Sequence, residues 1–141
     1  MPRIKLEPRS VYPFHIDIKV RVTDLNYGGH LANDRLLSLV HEARVAFLAE
    51  HDWTEASCGG ISLILADTVV VYQGEAFAGD VLRFEVAAGE PTGRGFRLLY
   101  RVSRKNDDAP IALVENGMVC FDYETRKTRR LPDAVREICQ G

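Results

Sequence analysis

The stretch Asp24-Leu25-Asn26-Tyr27-Gly28-Gly29-His30-Leu31-Ala32-Asn33 holds the densest set of reactive and turn-forming residues in the chain. A carboxylate and an imidazole this close in sequence can activate a water molecule. The glycine pair lets the backbone take positive φ or come close to a ligand. Asn33 is a good N-cap, so the stretch leads into a helix N-terminus, where unpaired N–H groups suit a carbonyl oxygen that becomes negative during acyl transfer.

The flanking segments must position that stretch. Residues 14 to 22 alternate, with Phe14, Ile16, Ile18, Val20 and Val22 on one face and His15, Asp17, Lys19 and Arg21 on the other, the pattern of a half-buried strand. Good helix formers run from Arg35 to about Glu50, with Asp34 suited to the positive end of the helix dipole. Leu36, Leu39, Val40, Ala43, Ala46 and Phe47 fall in one sector that Leu37 and Leu48 widen, which predicts a helix buried over most of its circumference. Arg35, Ser38 and Glu42 form the opposite polar strip. Residues 61 to 73 are nearly continuous in apolar and β-branched types and read as a central strand covered on both faces. Further strands are expected at 81–87, 94–104 and 111–123, joined by hairpin turns, with a short helix over Pro132 to Cys139. The fold class is α+β, one long central helix wrapped by an antiparallel sheet of about five strands in a single domain over residues 1–141. Such a sheet has edges to protect, and pairing across a subunit interface predicts a homodimer or homotetramer.

Composition removes several functions. The 141 residues carry 18 Lys plus Arg against 20 Asp plus Glu, a net charge of -2, without the basic excess expected for nucleic-acid binding. No apolar run is long enough for a signal peptide or a membrane span. Cys58, Cys120 and Cys139 are an odd, sparse set without CxxC spacing, so neither a disulfide framework nor a metal site is expected, and a cytoplasmic protein is.

The segment Arg21-Val-Thr-Asp24-Leu-Asn26-Tyr-Gly-Gly29-His30-Leu-Ala-Asn33, followed by His41-Glu42-Ala43-Arg44, resembles the opening signature of hotdog-fold thioesterases of the 4-hydroxybenzoyl-CoA and acyl-ACP type. Gly74-Glu75-Ala76-Phe77-Ala78-Gly79-Asp80-Val81 and Val119 through Pro132 are similar to that family's later strand entries and tail. The resemblance implies a hotdog fold and a thioesterase that cleaves acyl-CoA or acyl-carrier-protein thioesters to an acid and a free thiol, without a cofactor or metal. His30 would bind or activate the water, and Asn26 would position water or the thioester oxygen. Asp24 would orient His30 or replace it as base. Backbone N–H groups at Gly29 and Leu31 would polarise the carbonyl. A second acid could come from Glu42 or Glu75. Arg126, Lys127 and Arg129 could hold coenzyme A phosphates, as could the arginines of the 94–104 strand. The chain departs from the family at Asn26, where the bacterial branch carries an aspartate, because an asparagine cannot be a base. A non-catalytic acyl-thioester binding module therefore stands as an alternative, with a hotdog 3-hydroxyacyl-thioester dehydratase behind it.

Plainer roles compete with each of these. His30 could satisfy loop carbonyls, and Asp24 and Asn26 could be turn and cap residues only. Glu42 could pair with Arg35 or Arg44, and Glu75 could be a strand-end carboxylate. His15, His41 and His51 have no partner pattern.

Overall fold

The computed structural model describes residues 3–140. In chain order the elements are β1 (Phe14–Lys19), a single 3-10 turn (Val22–Asp24), α1 (Asn33–Glu50), β2 (Ser62–Tyr72), β3 (Val81–Gly89), β4 (Gly95–Arg104), β5 (Pro110–Asp122), β6 (Lys127–Thr128) and α2 (Asp133–Ile138). All neighbouring strands are antiparallel in the order β1-β3-β4-β5-β2, and β6 adds to β5. The expected architecture of one long helix on an antiparallel sheet is what the chain adopts.

The core lies between α1 and the sheet. Leu36, Leu39, Val40, Ala43, Phe47 and Leu48 of the helix pack in one cluster with Leu82, Phe84, Leu98, Tyr100, Val102 and Val114 of the strands. Fully burying a side chain of this kind contributes roughly 1.5–3 kcal/mol. The helix is less enclosed than its sequence suggests. Leu37 and Val45 are nearly half exposed, and so leave an apolar strip beside Ser38 and His41.

Two expectations are corrected. The first strand stops at Lys19, because the Asp24 carboxylate captures the Arg21 N–H at 2.8 Å and bends residues 22–24 into the 3-10 turn. Val22 is therefore 76% exposed rather than core-facing. The apolar run of β2 is not central but forms one edge of the sheet. Leu63 and Val71 are buried, whereas Leu65, Ala66, Asp67 and Thr68 are exposed around a register shift between Leu65 and Asp67. Paired on both sides are β3, β4 and the longest strand, β5. Its alternation is masked because Ile111, Ala112, Leu113 and Val114 are all buried.

Candidate active site

The loop between β1 and α1 is pinned at both ends by its own residues. Asp24, fully buried, accepts from the Arg21 N–H at 2.8 Å, Nε at 3.1 Å and Nη2 at 3.0 Å. The Arg21 guanidinium holds its carboxyl below the usual carboxylate range, against the opposing effect of burial. The Asp24 carbonyl also accepts from the Ala32 N–H at 3.0 Å, tying the 3-10 turn to the start of the helix. Asn26 Oδ1 accepts from the Gly28 N–H at 2.9 Å and the His30 N–H at 3.4 Å, and the Asn26 and His30 backbones meet at 2.9 Å. Gly29 takes φ +82°, a conformation that disfavours any side chain. A Cβ at Gly28 would stand 3.4 Å from His30 Nε2 and 3.2 Å from Asn26 Oδ1, so its absence keeps that ring nitrogen open.

His30 stands at the rim of a cleft of about 210 Å³, shared with Asn33, Leu36, Tyr72, Glu75 and Ile111. Its Nδ1 lies 3.4 Å from the Leu31 carbonyl oxygen, an interaction that suits Nδ1–H and leaves Nε2 as the basic nitrogen. Tyr72 Oη donates to the Asn33 carbonyl at 3.2 Å, and burial, reinforced by Asp34, pushes its phenol above the ordinary value. The helix opens at Ala32, not at Asn33, and no side chain caps it. The first-turn N–H groups of Asn33, Asp34 and Arg35 thus point out of the helix start without intrahelical partners.

The geometry moves the oxyanion donors. The Gly29 N–H donates to the Asn26 carbonyl at 3.1 Å and the Leu31 N–H to the Ala76 carbonyl at 2.8 Å, so both are occupied. Open donors begin at Asn33. Asp24 likewise has its carboxylate directed to Arg21 and forms no hydrogen bond with the His30 ring. Its observed part is to shape the loop.

Residues 20–138 match the family model of the thioesterase-like superfamily. The chain belongs to that family. Among curated relatives, the 1,4-dihydroxy-2-naphthoyl-CoA hydrolase of Synechococcus elongatus is 27% identical over 125 residues, covering 86% of this chain and 90% of the relative. Among solved structures, a 1,4-dihydroxy-2-naphthoyl-CoA thioesterase from Synechocystis superposes with a TM-score of 0.80 at 21% identity, over 90% of this chain and 95% of that one. A probable thioesterase from Escherichia coli gives 0.76 at 25% identity, over 87% and 93%. The hotdog fold expected from the sequence is the fold of this family member, and its enzyme class, thioester hydrolase, agrees with the membership.

Within this thioesterase-like chain the remaining candidates separate. Glu75 lines the His30 cleft. Glu42 does not. It lies with Ile16, Ile18, Lys19, Arg21 and Leu39 around a different hollow. Arg126, Lys127 and Arg129 sit where β5 turns into β6, with Arg126 over the Phe121 ring at 5.6 Å and Arg129 paired to Asp122 at 2.9 Å. Ile111, at the His30 cleft, and Phe121 lie at opposite ends of β5, about 30 Å apart at the rise of an extended strand. These cations therefore do not serve the His30 cleft of their own chain. The strand arginines are also occupied, Arg97 by Asp67 and Glu115, Arg101 by Glu85, and Arg104 by Asp80 and Asp107. Arg44 pairs with Glu55, not with Glu42.

Sequence reading passes over Tyr72, places the open helix-start donors too early, at Gly29 and Leu31, and gives His41 no partner. Tyr72 ends an apolar run and carries no local signal. His41 Nε2 sits 2.7 Å from Glu55 Oε1, a partner fourteen residues away. Cys58, Cys120 and Cys139 are buried, and burial pushes the Cys58 thiol up to about 12 and the Cys139 thiol up to about 11. Such thiols stay protonated and inert. Among the described residues no cluster of three or more His, Cys, Asp or Glu could hold a metal, and no helix is long and apolar enough to cross a membrane.

Proposed function

We propose that the chain hydrolyses acyl-CoA thioesters in the cleft between His30, Glu75, Tyr72 and the start of α1. The observation that carries this reading is an imidazole with its Nε2 open, beside an uncapped helix N-terminus at one cleft. The thioester carbonyl sits against the N–H groups of Asn33 to Arg35, which stabilise the oxyanion as it forms. His30 Nε2 takes a proton from water as its oxygen bonds to the carbonyl carbon. The tetrahedral intermediate collapses, the C–S bond breaks, and the imidazolium returns the proton to the thiolate. Asn26 holds the loop through Oδ1, while its Nδ2, without an acceptor among the described residues, is free to donate to water or substrate. Glu75 is the carboxylate within reach of the same cleft. Coenzyme A rather than a carrier protein is favoured by relatives named as hydrolases of CoA thioesters.

The exposed β2 edge, with Leu65 nearly half exposed, supports pairing with a second copy to form a homodimer or a tetramer built from it. Light scattering on the wild type and on a Leu65→Lys variant tests that assembly, with the variant shifting toward monomer.

Thiol release from short, medium, long and aromatic acyl-CoAs tests the activity. Turnover should fall by about a hundredfold or more in His30→Ala, with the circular dichroism spectrum unchanged. Unchanged turnover in that variant removes His30 as base. Tight acyl-CoA binding with no hydrolysis of any CoA or carrier-protein thioester identifies the binding module that Asn26, in place of an acid, favours.

A further inference from the structure

Among the described residues, Arg44 is the only buried basic side chain, 7% exposed. It stands on α1 within a network that joins the helix, the sheet and the loop before β2. Its Nη1 donates to Asn116 Oδ1 at 3.0 Å and its Nε to Glu55 Oε2 at 3.3 Å. Asn116 Oδ1 also accepts from Tyr100 Oη at 2.6 Å, and Asn116 Nδ2 donates to Thr68 Oγ1 at 3.1 Å. The second guanidinium nitrogen, Nη2, donates to no described residue. It is not among the enclosed unpartnered atoms, and Arg44 lines a cleft of about 250 Å³ between α1 and β2.

In that cleft Arg44 and Asn116 are the buried polar residues at the base, while Leu37, Ser38, His41 and Thr68 line its exposed side and Leu65 borders it at the β2 edge. The counter-charge on Arg44 is divided. Glu55 Oε1 is 2.7 Å from His41 Nε2, and Arg44 is reached only through the longer contact from Oε2. A guanidinium held in low dielectric with free N–H groups is a strong site for an oxyanion, because its donors are already oriented and little water is displaced. Eight residues of helix, about 12 Å, separate His41 from Asn33, so this cleft lies one acyl-group length along α1 from the proposed hydrolytic centre.

We propose that the cleft between α1 and β2 is a binding pocket for a carboxylate, with Arg44 Nη2 donating to the ligand oxygen and Leu37 and Val40 against its carbon skeleton. The carboxylate has two sources, the distal end of a dicarboxylic acyl thioester or a free carboxylic acid. The first rests on the thioesterase reading, and the pocket itself does not.

The test uses the full chain with nitrogen-15-labelled histidine, with the His41 ring as reporter and benzoate and benzamide as probes. Benzoate should shift the His41 resonances saturably in the millimolar range, and benzamide should bind at least tenfold more weakly. Arg44→Lys and Ser38→Phe should each weaken benzoate at least tenfold. The second variant fills the mouth from an exposed helix position and keeps the test sound if the first fails to fold. No saturable shift, equal response to benzamide, or benzoate binding that survives Ser38→Phe overturns the pocket. To separate the sources, hydrolysis of sebacyl-CoA is compared with that of decanoyl-CoA. A tenfold preference in kcat/KM for the dicarboxylic substrate, lost in Ser38→Phe, assigns the acyl end. Benzoate binding without that preference assigns a free acid. Hydrolysis with no benzoate binding overturns the pocket and leaves the hydrolase standing, and benzoate binding with no hydrolysis of any thioester does the reverse.

Discussion

The two faces of the sheet handle charge in opposite ways. On the face away from α1, cations meet carboxylates along the strands. Asp17 lies 3.0 Å from both Arg83 and Lys105, Arg101 is 2.8 Å from Glu85, and Arg97 is 2.8 Å from Asp67 and 3.1 Å from Glu115. Between α1 and the sheet the buried charges among the described residues are two, Asp24 and Arg44. Asp24 is closed off by Arg21, whereas Arg44 keeps donors open. Density of arginine is therefore a poor guide to where a ligand binds. An unpaired donor in a low-dielectric cleft is a better one, because a paired cation has already given up the charge that a ligand would seek.

The contrast is broken or sharpened first by removing one cation from each side. Arg44→Met removes one partner each from Asn116 and Glu55, which keep Tyr100 and His41, and should lower the unfolding free energy by about 3 kcal/mol, the upper end for hydrogen bonds to a charged group. Arg101→Met removes a half-exposed, solvent-screened pair and should cost no more than about 1 kcal/mol. Urea denaturation of both variants measures the difference. Equal losses would mean that the buried network is no more than another surface pair.

The next largest effect concerns the loop. Asp24 binds Arg21 through three hydrogen bonds, and Asp24→Asn should cost about 2 kcal/mol near neutral pH, the scale of hydrogen bonds to a charged group. Its folded carboxyl is held below the ordinary value of 3.8 by Arg21. That stability is present above the unfolded value and is lost as pH falls through the lower folded one. The gap between wild type and Asp24→Asn in urea midpoints should therefore be constant from pH 7 to 5 and close as pH drops below about 4. A gap that persists at pH 2 would show that loop geometry, and not ionisation, carries the effect.

How much of this was legible depends on how local the cause is. The alternation of Phe14 to Val22, the helix run to Glu50 and the hairpin turns are short-range patterns, and each became an element, the first ending three residues early at Lys19. The apolar run of β2 misled, because periodicity reports how many faces are covered and not which neighbours a strand has. An edge strand of this apolar composition reads like a central one. The loop closes around Asn26 Oδ1, but Asp24 turns to Arg21 and away from His30, and the open donors shift because Leu31 is taken by Ala76, forty-five positions away. The Arg44–Asn116 contact spans seventy-two positions and was invisible in any window. His41 shows no partner in the sequence for the same reason, since Glu55 lies fourteen positions on.

A smaller effect tests whether that network acts as a unit. Tyr100 is buried, and burial pushes its phenol well above the ordinary value despite the nearby Arg44. Tyr100→Phe removes a donor to Asn116 Oδ1 while Arg44 still supplies one, so it should cost about 1 kcal/mol. Combined with Arg44→Met, the loss should exceed the sum by at least about 0.5 kcal/mol, because only the double variant leaves that buried oxygen without a donor. Strict additivity in a double-mutant cycle would dissolve the network into independent contacts.

The smallest effect is expected where the sequence looks most basic. Arg126, Lys127 and Arg129 suggest phosphate binding by composition, but Arg129 is engaged by Asp122, and the turn lies at the far end of β5 from Ile111 and His30. Replacing all three with alanine should leave KM for an acyl-CoA within about twofold, since solvent-exposed cations beyond a Debye length of about 8 Å are screened from the site. If KM instead rises tenfold while kcat holds, the turn binds coenzyme A from outside its own chain's cleft. The only way to bring it near His30 would then be a second copy, and the proposed pairing along β2 would become a requirement of the site, not merely protection for an edge.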